Sequence, residues 1–426
     1  MGEYQRNPAA NVAVVGGGPA GLMAAIAAAS AGSSVVLLEQ LDQVGSKLLA
    51  TGGGRCNLTN LLPPEDVMVR FGRYGRFMQP ALAAMGPPQL REFFEALGVA
   101  TYVAESGQVY PVTNSAITVK EALERRCRQA GVTILLRTTA RRLVIEHGCV
   151  RGLETSAGLV AAKTVILACG GKSYPALGGT GGGYALAAQA GHDIIPPVPA
   201  LVGLLTRETW PRQCAGAAVS NIVVELPGGK AASPAASAKT SGDLLFTHGG
   251  VSGPAVLDIS GRVARLLLTQ PCVPLRINLT PNLTRLGWVE RLDQWADTDG
   301  AKLLRTMLAR CLPAVVAEAI LREAGIEGDA RCAHLPRPRR QTVAQCLTAL
   351  PLTVIGTDGF EKAMVTAGGV SLKQVDPRAL RSKLAGGLLL AGETLDLDGP
   401  CGGFNLHWAF ASGALAGKSA VTTPAP

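Results

Sequence analysis

One stretch near the start of the chain constrains the fold more than any other: residues 11–40, NVAVVGGGPAGLMAAIAAASAGSSVVLLEQ. The apolar run 11–15 reads as a strand, GGGPAG as a tight turn, the alanine-rich residues after it as a helix, and 35–38 as a second strand buried on both faces. Gly32 stands where a helix end needs a left-handed residue. Gly16, Gly18 and Gly21 form G-x-G-x-x-G inside this βαβ unit, and Glu39 closes the second strand at roughly the 20-residue offset of a dinucleotide fingerprint. The first glycine permits the turn, the second lets backbone approach a pyrophosphate, and the third packs helix on strand. The helix N-terminus offers N–H donors to the phosphate charge. A carboxylate at Glu39 suits ribose hydroxyls and would repel a 2′-phosphate.

The 426 residues, 47% hydrophobic, suffice for one large domain with an insertion or for two to three ordinary domains, and 52 glycines with only 4% aromatics fit an α/β protein rich in tight turns. The 40 Lys and Arg against 31 Asp and Glu give +9, which favours anionic ligands but shows no dominant basic run, so nucleic acid is not an expected partner. The densest basic spot, RPRR at 337–340, lies among prolines and reads as a solvated loop. Ten cysteines with no C-x-x-C, and a start without a basic-then-apolar pattern, point to a reduced, cytoplasmic protein. No apolar run reaches the ~20 residues of a membrane span.

Further along, 117–131 reads as an amphipathic helix, 132–136 as a strand, 140–161 as a three-stranded meander, and 164–168 as a second buried strand followed by glycine loop and helix. From 193 the prolines and short alternating runs (222–226, 244–247, 273–279) read as a β-rich insert. Residues 282–349 are helical in pattern, and 388–391 restores a buried strand before a final loop and helix.

This order, one βαβ unit, a glycine loop, a meander and a late strand ending LLLAGE (388–393), resembles FAD-binding oxidoreductases of the glutathione-reductase type. Five segments carry a closer resemblance: GGGRCNLTN (52–60), CGGKSYPALGGTGGGY (169–184), LLFTHGGVSGPAVL (244–257), VTAGGV (365–370) and GETLDLDGPCGGFNLHWAFASGALAG (392–417). Together they look like the bacterial BaiN-like flavoproteins, a family of NAD(P)/FAD-dependent oxidoreductases that includes an amine-oxidising aminoacetone oxidase and a dehydro-bile-acid reductase. The resemblance runs nearly end to end, closest to a shorter subgroup. It departs at Gly182, Cys401 and His407, where relatives more often carry Asp, Thr and Gln.

The resemblance implies an α/β fold: a glutathione-reductase-type FAD-binding Rossmann domain with an inserted β-rich domain and a small helical subdomain. The expected division is 1–192 and 367–426 for the two parts of the FAD domain, 193–281 for a β-rich cap or substrate domain, 282–349 for the helical subdomain and 350–366 for the return. The implied function is hydride transfer to or from noncovalent FAD, acting on a small molecule, with NAD(P)H as a candidate transient co-substrate. A second reading makes the FAD structural, in a sensor or an RNA- or protein-interaction protein. The oligomeric state is open.

Carried over position by position, the resemblance places Gly16, Gly18, Pro19, Ala20 and Gly21 at the pyrophosphate, Glu39 and Gln40 at the adenosine, and the Ala140 backbone at adenine. Lys47, Gly53, Gly54, Arg55 and Asn57 follow the path from diphosphate to ring. Ala168, Cys169, Gly170 and Gly171 lie beside the adenosine, and Gly392, Glu393, Gly402, Gly403, Phe404, Asn405 and Leu406 at the ribityl and ring end. Backbone N–H groups at 402–403 would meet the pyrimidine edge.

Catalytic residues stay open, with Arg55, Tyr174, His248 and His407 as candidates. Three have a bland alternative. Arg55 could serve only the cofactor, Tyr174 could brace the Pro175 turn, and His248 could be a hydrogen-bonded structural residue. A His407 facing the ring would add a group titrating near neutrality. Cys56, Cys169 and Cys401 read as small packing residues rather than redox thiols. Asp396 and Asp398 lack the His and Cys company of a metal site, so no metal is expected.

Overall fold

A computed structural model describes residues 10–228 and 238–422. They divide into two compact units, 1–198 with 365–426, and 199–364. The first is built on a twisted sheet whose parallel centre runs Leu388–Leu390, Gly158–Leu167, Ala10–Val15, Val35–Leu38, Thr133–Leu135. The two strands read from the glycine turn are its middle. Val12 to Val15 and Val35 to Leu38 are almost fully enclosed, as an apolar run without alternation requires.

The meander is present as Ala140–Glu146, Cys149–Thr155 and Gly158–Leu167, all antiparallel. Its third strand does not stop where the sequence reading ended it. The strand runs on for ten residues, exposed on alternate positions up to Lys163 and buried continuously from Thr164 to Leu167. One strand is therefore half meander and half central sheet, which is why its pattern changes midway.

The last helix, Phe404–Val421, lies against the first, Pro19–Ser30. A Cβ on Gly413 would stand 2.2 Å from the Ala20 carbonyl oxygen, and one on Gly417 2.3 Å from that of Ala24. These two glycines let the chain end close on the nucleotide-type turn.

The second unit holds a closed barrel of Leu204–Thr206, Gly250–Ser252, Ala238–Phe246, Ala218–Leu226, Val273–Asn278 and Leu350–Thr357. Helices Arg285–Thr298, Ala314–Glu323 and Arg337–Ala349 share its apolar cluster, and Trp288 and Trp295 meet edge to face in that core. Several elements escaped the sequence reading: the helices Pro64–Arg70, Gln79–Ala84 and Pro87–Ala96 in the first unit, and in the second the helix Pro254–Leu267, which starts with Pro at N1 behind the left-handed Gly253 and lies amid the strands. The RPRR stretch at 337–340 is not a loop, because it opens the helix Arg337–Ala349, where Arg340 pairs with Asp293. Among the described residues no helix is long and apolar enough to cross a membrane.

Candidate functional site

The glycines of the first turn divide by what surrounds them. Gly16 has φ 104°, and a Cβ there would sit 2.5 Å from the Ala168 carbonyl oxygen; a Cβ on Gly21 would sit 1.8 Å from that of Gly16. Those two are demanded by protein packing. At Gly18 a Cβ would meet nothing within 4 Å, so the start of the Pro19–Ser30 helix, with Pro19 at N1 and Ala20 behind it, opens onto free space. Glu39, 8% exposed, borders it: one carboxylate oxygen accepts from Gly17 N at 2.7 Å, the other from Leu41 N at 2.9 Å. Thr138 N donates to the Glu39 carbonyl at 2.8 Å, which brings Ala140 two residues behind it, and Gln40 Nε2 donates to the Gly178 carbonyl at 2.7 Å.

From there the chain stays beside the turn. Gly45 N donates to the Gly17 carbonyl at 2.8 Å, and Lys47 follows two residues on. Gly52, Gly53 and Gly54 take φ of 57°, 65° and 88°, three left-handed residues in succession that only glycine adopts without strain. A Cβ on Gly53 would meet nothing within 4 Å. Arg55 is exposed, its guanidinium carbon 4.9 Å from the centre of the Tyr110 ring and its Nε donating to the Gly52 carbonyl. Asn57 is buried, and its Oδ1 has no hydrogen-bond partner among the described residues.

That oxygen faces the chain end. A Cβ on Gly403, which has φ 93°, would be 2.7 Å from Asn57 Oδ1. Gly402 and Gly403 lead into the last helix, with Phe404 and Leu406 buried behind them. Asn405 is committed to its own turn: Nδ2 donates to the carbonyls of Gly399 and Pro400, and Oδ1 accepts from Gly399 N. Gly392 N donates to Ser412 Oγ and its carbonyl accepts from Trp408 Nε1.

A polar cluster ties these pieces together. Lys47 Nζ lies 2.7 Å from Glu393 Oε2 and 2.6 Å from Ser173 Oγ, while Glu393 Oε1 accepts from Thr366 N. Thr366 Oγ1 accepts from Lys172 N and Ser173 N, and a Cβ on Gly171 would stand 2.3 Å from it. Sequence reading named Lys47 and Glu393 but missed Ser173 and Thr366. Both lay in quoted segments, Ser173 in the GGKSY loop and Thr366 in VTAGGV, but neither was given a role. It also missed Tyr184 and Thr394, whose buried hydroxyls have no partner among the described residues. Burial, then the charges of Glu393 and Asp396, push the Tyr184 hydroxyl well above the usual tyrosine range.

The remaining candidates separate. Ala168 N donates to the Val15 carbonyl, and Cys169 sits beside it with its thiol pushed up to about 12, mainly by burial; Gly170 follows at φ 71°. Cys56 is buried and its thiol is likewise pushed up to about 12 by burial. Neither thiol ionises readily in these surroundings. Tyr174, half-buried and left-handed at φ 52°, directly follows Ser173. His248 is exposed in the second unit, in the turn before Gly250–Ser252.

His407 corrects the expectation of a titrating group beside a ring. It is 1% exposed; Nδ1 lies 2.6 Å from Thr59 Oγ1 and Nε2 2.9 Å from the Met85 carbonyl. The carbonyl can only accept, so Nε2 carries the proton and Nδ1 accepts from Thr59. Burial lowers its pKa from 6.5 to about 4, leaving a neutral strut with both nitrogens in use.

The comparisons agree with this architecture. A family model described as HI0933-like protein Rossmann domain matches residues 10–419. The 3-dehydro-bile acid delta(4,6)-reductase of Clostridium scindens is 34% identical over 417 residues, 97% of this chain and 99% of that one. A ribosomal RNA dihydrouridine synthase of Haemophilus influenzae is 31% identical over 417 residues, 97% of each. The solved 3-ketosteroid-delta4-(5alpha)-dehydrogenase from Rhodococcus jostii RHA1 shares the fold at a TM-score of 0.53 and 16% identity, covering 99% of this chain and 98% of that one. The chain belongs to the HI0933-like family of FAD-dependent oxidoreductases.

Proposed function

We propose that the protein holds FAD noncovalently and adds two hydrogens across a carbon–carbon double bond conjugated to a carbonyl, with NAD(P)H as the reductant. The observation that carries the cofactor half is the pair of open glycines: at both Gly18 and Gly53 a Cβ would meet nothing within 4 Å, in two loops joined through Gly17 and Gly45. Backbone spared of side chains and facing open space suits a large flat ligand. The donor set fits as well. The N-terminus of the first helix would hold the diphosphate, Glu39 the ribose hydroxyls, and the unpartnered Asn57 Oδ1 an N–H of the ring.

When bound, the flavin supplies hydride exchange with the substrate. The protein's own residues do the rest. Lys47, clamped to Glu393 and Ser173, fixes the glycine loop against the chain end, and Arg55 keeps a cation at the edge of that loop. The reaction class is supported by the two relatives, whose names both describe saturating a double bond conjugated to a carbonyl, in a steroid skeleton or in a uracil ring. The reading also takes the protein to be cytoplasmic and reduced, with its ten cysteines free.

An anaerobic titration tests it. The purified protein should be yellow, release unmodified FAD on denaturation, lose its flavin absorbance with NADH or NADPH, and regain it with a conjugated steroid dienone or a uridine-containing RNA. A flavin bleached only by small amines, or by nothing offered, overturns the reductase reading.

A further inference from the structure

Residues 70–77 read RFGRYGRF, an arginine followed by an aromatic at every third position. In sequence these are isolated charges. In the fold Arg70 ends the helix Pro64–Arg70, and Arg73 and Arg76 belong to the 3₁₀-helix Gly72–Met78. A 3₁₀-helix has three residues per turn, so Arg73 and Arg76 stand on one face about 6 Å apart along its axis.

Phe71 and Phe77 turn inward as the arginines turn out, while Tyr74 stays half-buried beside Arg73. Phe71 is buried, with ring atoms 2.7–3.0 Å from where a Cβ on Gly399 would be. Phe77 meets Trp408 edge to face at 6.2 Å, and Gly75 is pressed so close that a Cβ would lie 1.7 Å from the Met68 carbonyl oxygen. The segment is thus fixed on the 399–403 loop, whose other end meets Asn57 at Gly403. Arg70, Arg73 and Arg76 are all exposed, and the Arg73 guanidinium lies 4.5 Å from the Tyr74 ring centre. Among the described residues no carboxylate pairs with any of the three. Glu65 and Asp66, the acids of the same segment, sit in the first turn of Pro64–Arg70; Asp66 is one turn before Arg70, while Arg73 and Arg76 lie beyond the helix end.

We propose that this face is a docking surface for single-stranded RNA, the three guanidiniums taking successive backbone phosphates beside the candidate site. Arginine forks match phosphate geometry, and a guanidinium already lying on a tyrosine ring is oriented for bases to stack nearby. A smaller anion would not need three exposed cations along one short segment. The proposal rests on the flavin reading only for why a strand should be held here.

The test is fluorescence anisotropy of a labelled single-stranded RNA with the full chain, wild type against Arg70→Gln/Arg73→Gln/Arg76→Gln. The variant should bind at least tenfold more weakly, with a log–log salt slope shallower by about 2, since each phosphate that an arginine no longer neutralises takes ~0.7 off the slope. A matched variant in the other unit, Arg285→Gln/Arg291→Gln/Arg310→Gln, should keep wild-type affinity, and melting curves check that each is folded. The proposal is overturned if both triple variants lose affinity equally, if neither does, or if wild type ignores RNA while sedimenting with phosphatidylglycerol vesicles. Flavin absorbance on the same samples tests the other reading separately. Protein that binds RNA through these arginines without holding FAD would sink the flavin assignment and leave the RNA face standing.

Discussion

Lys47 Nζ and Glu393 Oε2 lie 2.7 Å apart across 346 residues of sequence, and this pair joins the glycine loop to the returning chain end. Both side chains are mostly shielded, at 25% and 20% exposure, and each has a second partner: Ser173 for the lysine, the Thr366 N–H for the carboxylate. Loop 45–55 and loop 392–403 are therefore placed by one charged contact as well as by the packing of the last helix on the first.

Replacing the lysine tests that role. Lys47→Met keeps the length of the stem but leaves Glu393 with neutral partners only, so we expect a loss of about 1–2 kcal/mol in stability. A clearly weaker hold on FAD should accompany it if the pair orders the loop. Thermal melting with and without added FAD separates the two effects; equal melting shifts in both conditions would show the pair to be purely structural.

Gly18 and Gly21 offer a sharper contrast, three residues apart in one motif. Gly18→Ala enters open space and changes only an N-cap, at a cost of about 1 kcal/mol or less, yet it should cut FAD retention at least tenfold. Gly21→Ala drives a Cβ into the Gly16 carbonyl and should cost about 3 kcal/mol or more whether or not a ligand is present. Gly53→Val, open like Gly18, carries about 1–2 kcal/mol of left-handed strain and should leave a folded protein without flavin. Flavin content per folded chain, by absorbance and circular dichroism, ranks the three.

This contrast also shows what the sequence could reveal. G-x-G-x-x-G with Glu39 was legible because strand, turn and helix are written in consecutive residues with their own periods. What each glycine faces was not, since Ala168 comes from a strand far along the chain. Lys47 and Glu393 were each visible, but their pairing was not, and VTAGGV gave no sign that its Thr366 would meet Ser173 and Glu393 from distant parts of the chain. The barrel strands were legible as strands, whereas the closure that pairs Leu204–Thr206 with Leu350–Thr357 is non-local. His407 was misjudged for the same reason: its burial is set by Met85 and Thr59, which sequence does not place beside it.

Cysteine labelling checks the packing. Burial pushes the thiols of Cys56 and Cys169 up to about 12, so both should stay unmodified by iodoacetamide at about pH 8, while Cys311, exposed, reacts. Mass spectrometry of peptides from native and denatured protein reads this directly. Rapid native labelling of Cys56 would mean that the GGGRCN loop opens and would reinstate its thiol as a chemical candidate.

His407 should impose a pH dependence on stability. Its pKa falls from 6.5 to about 4 in the fold, because burial penalises the charged ring. Between those values the unfolded chain binds a proton that the folded one refuses, so stability is full above 6.5, declines as pH drops toward 4, and levels off below that. A shift of this size corresponds to about 3 kcal/mol across the window. His407→Gln removes the titration while keeping both contacts, since an amide oxygen can accept from Thr59 and an amide N–H can donate to Met85. Urea unfolding at several pH values should therefore show wild type and variant converging, or crossing, as the pH falls, with the shallower slope belonging to the variant. Parallel curves would mean that the buried histidine opens to solvent before the fold does, and that its two hydrogen bonds are weaker than their lengths indicate.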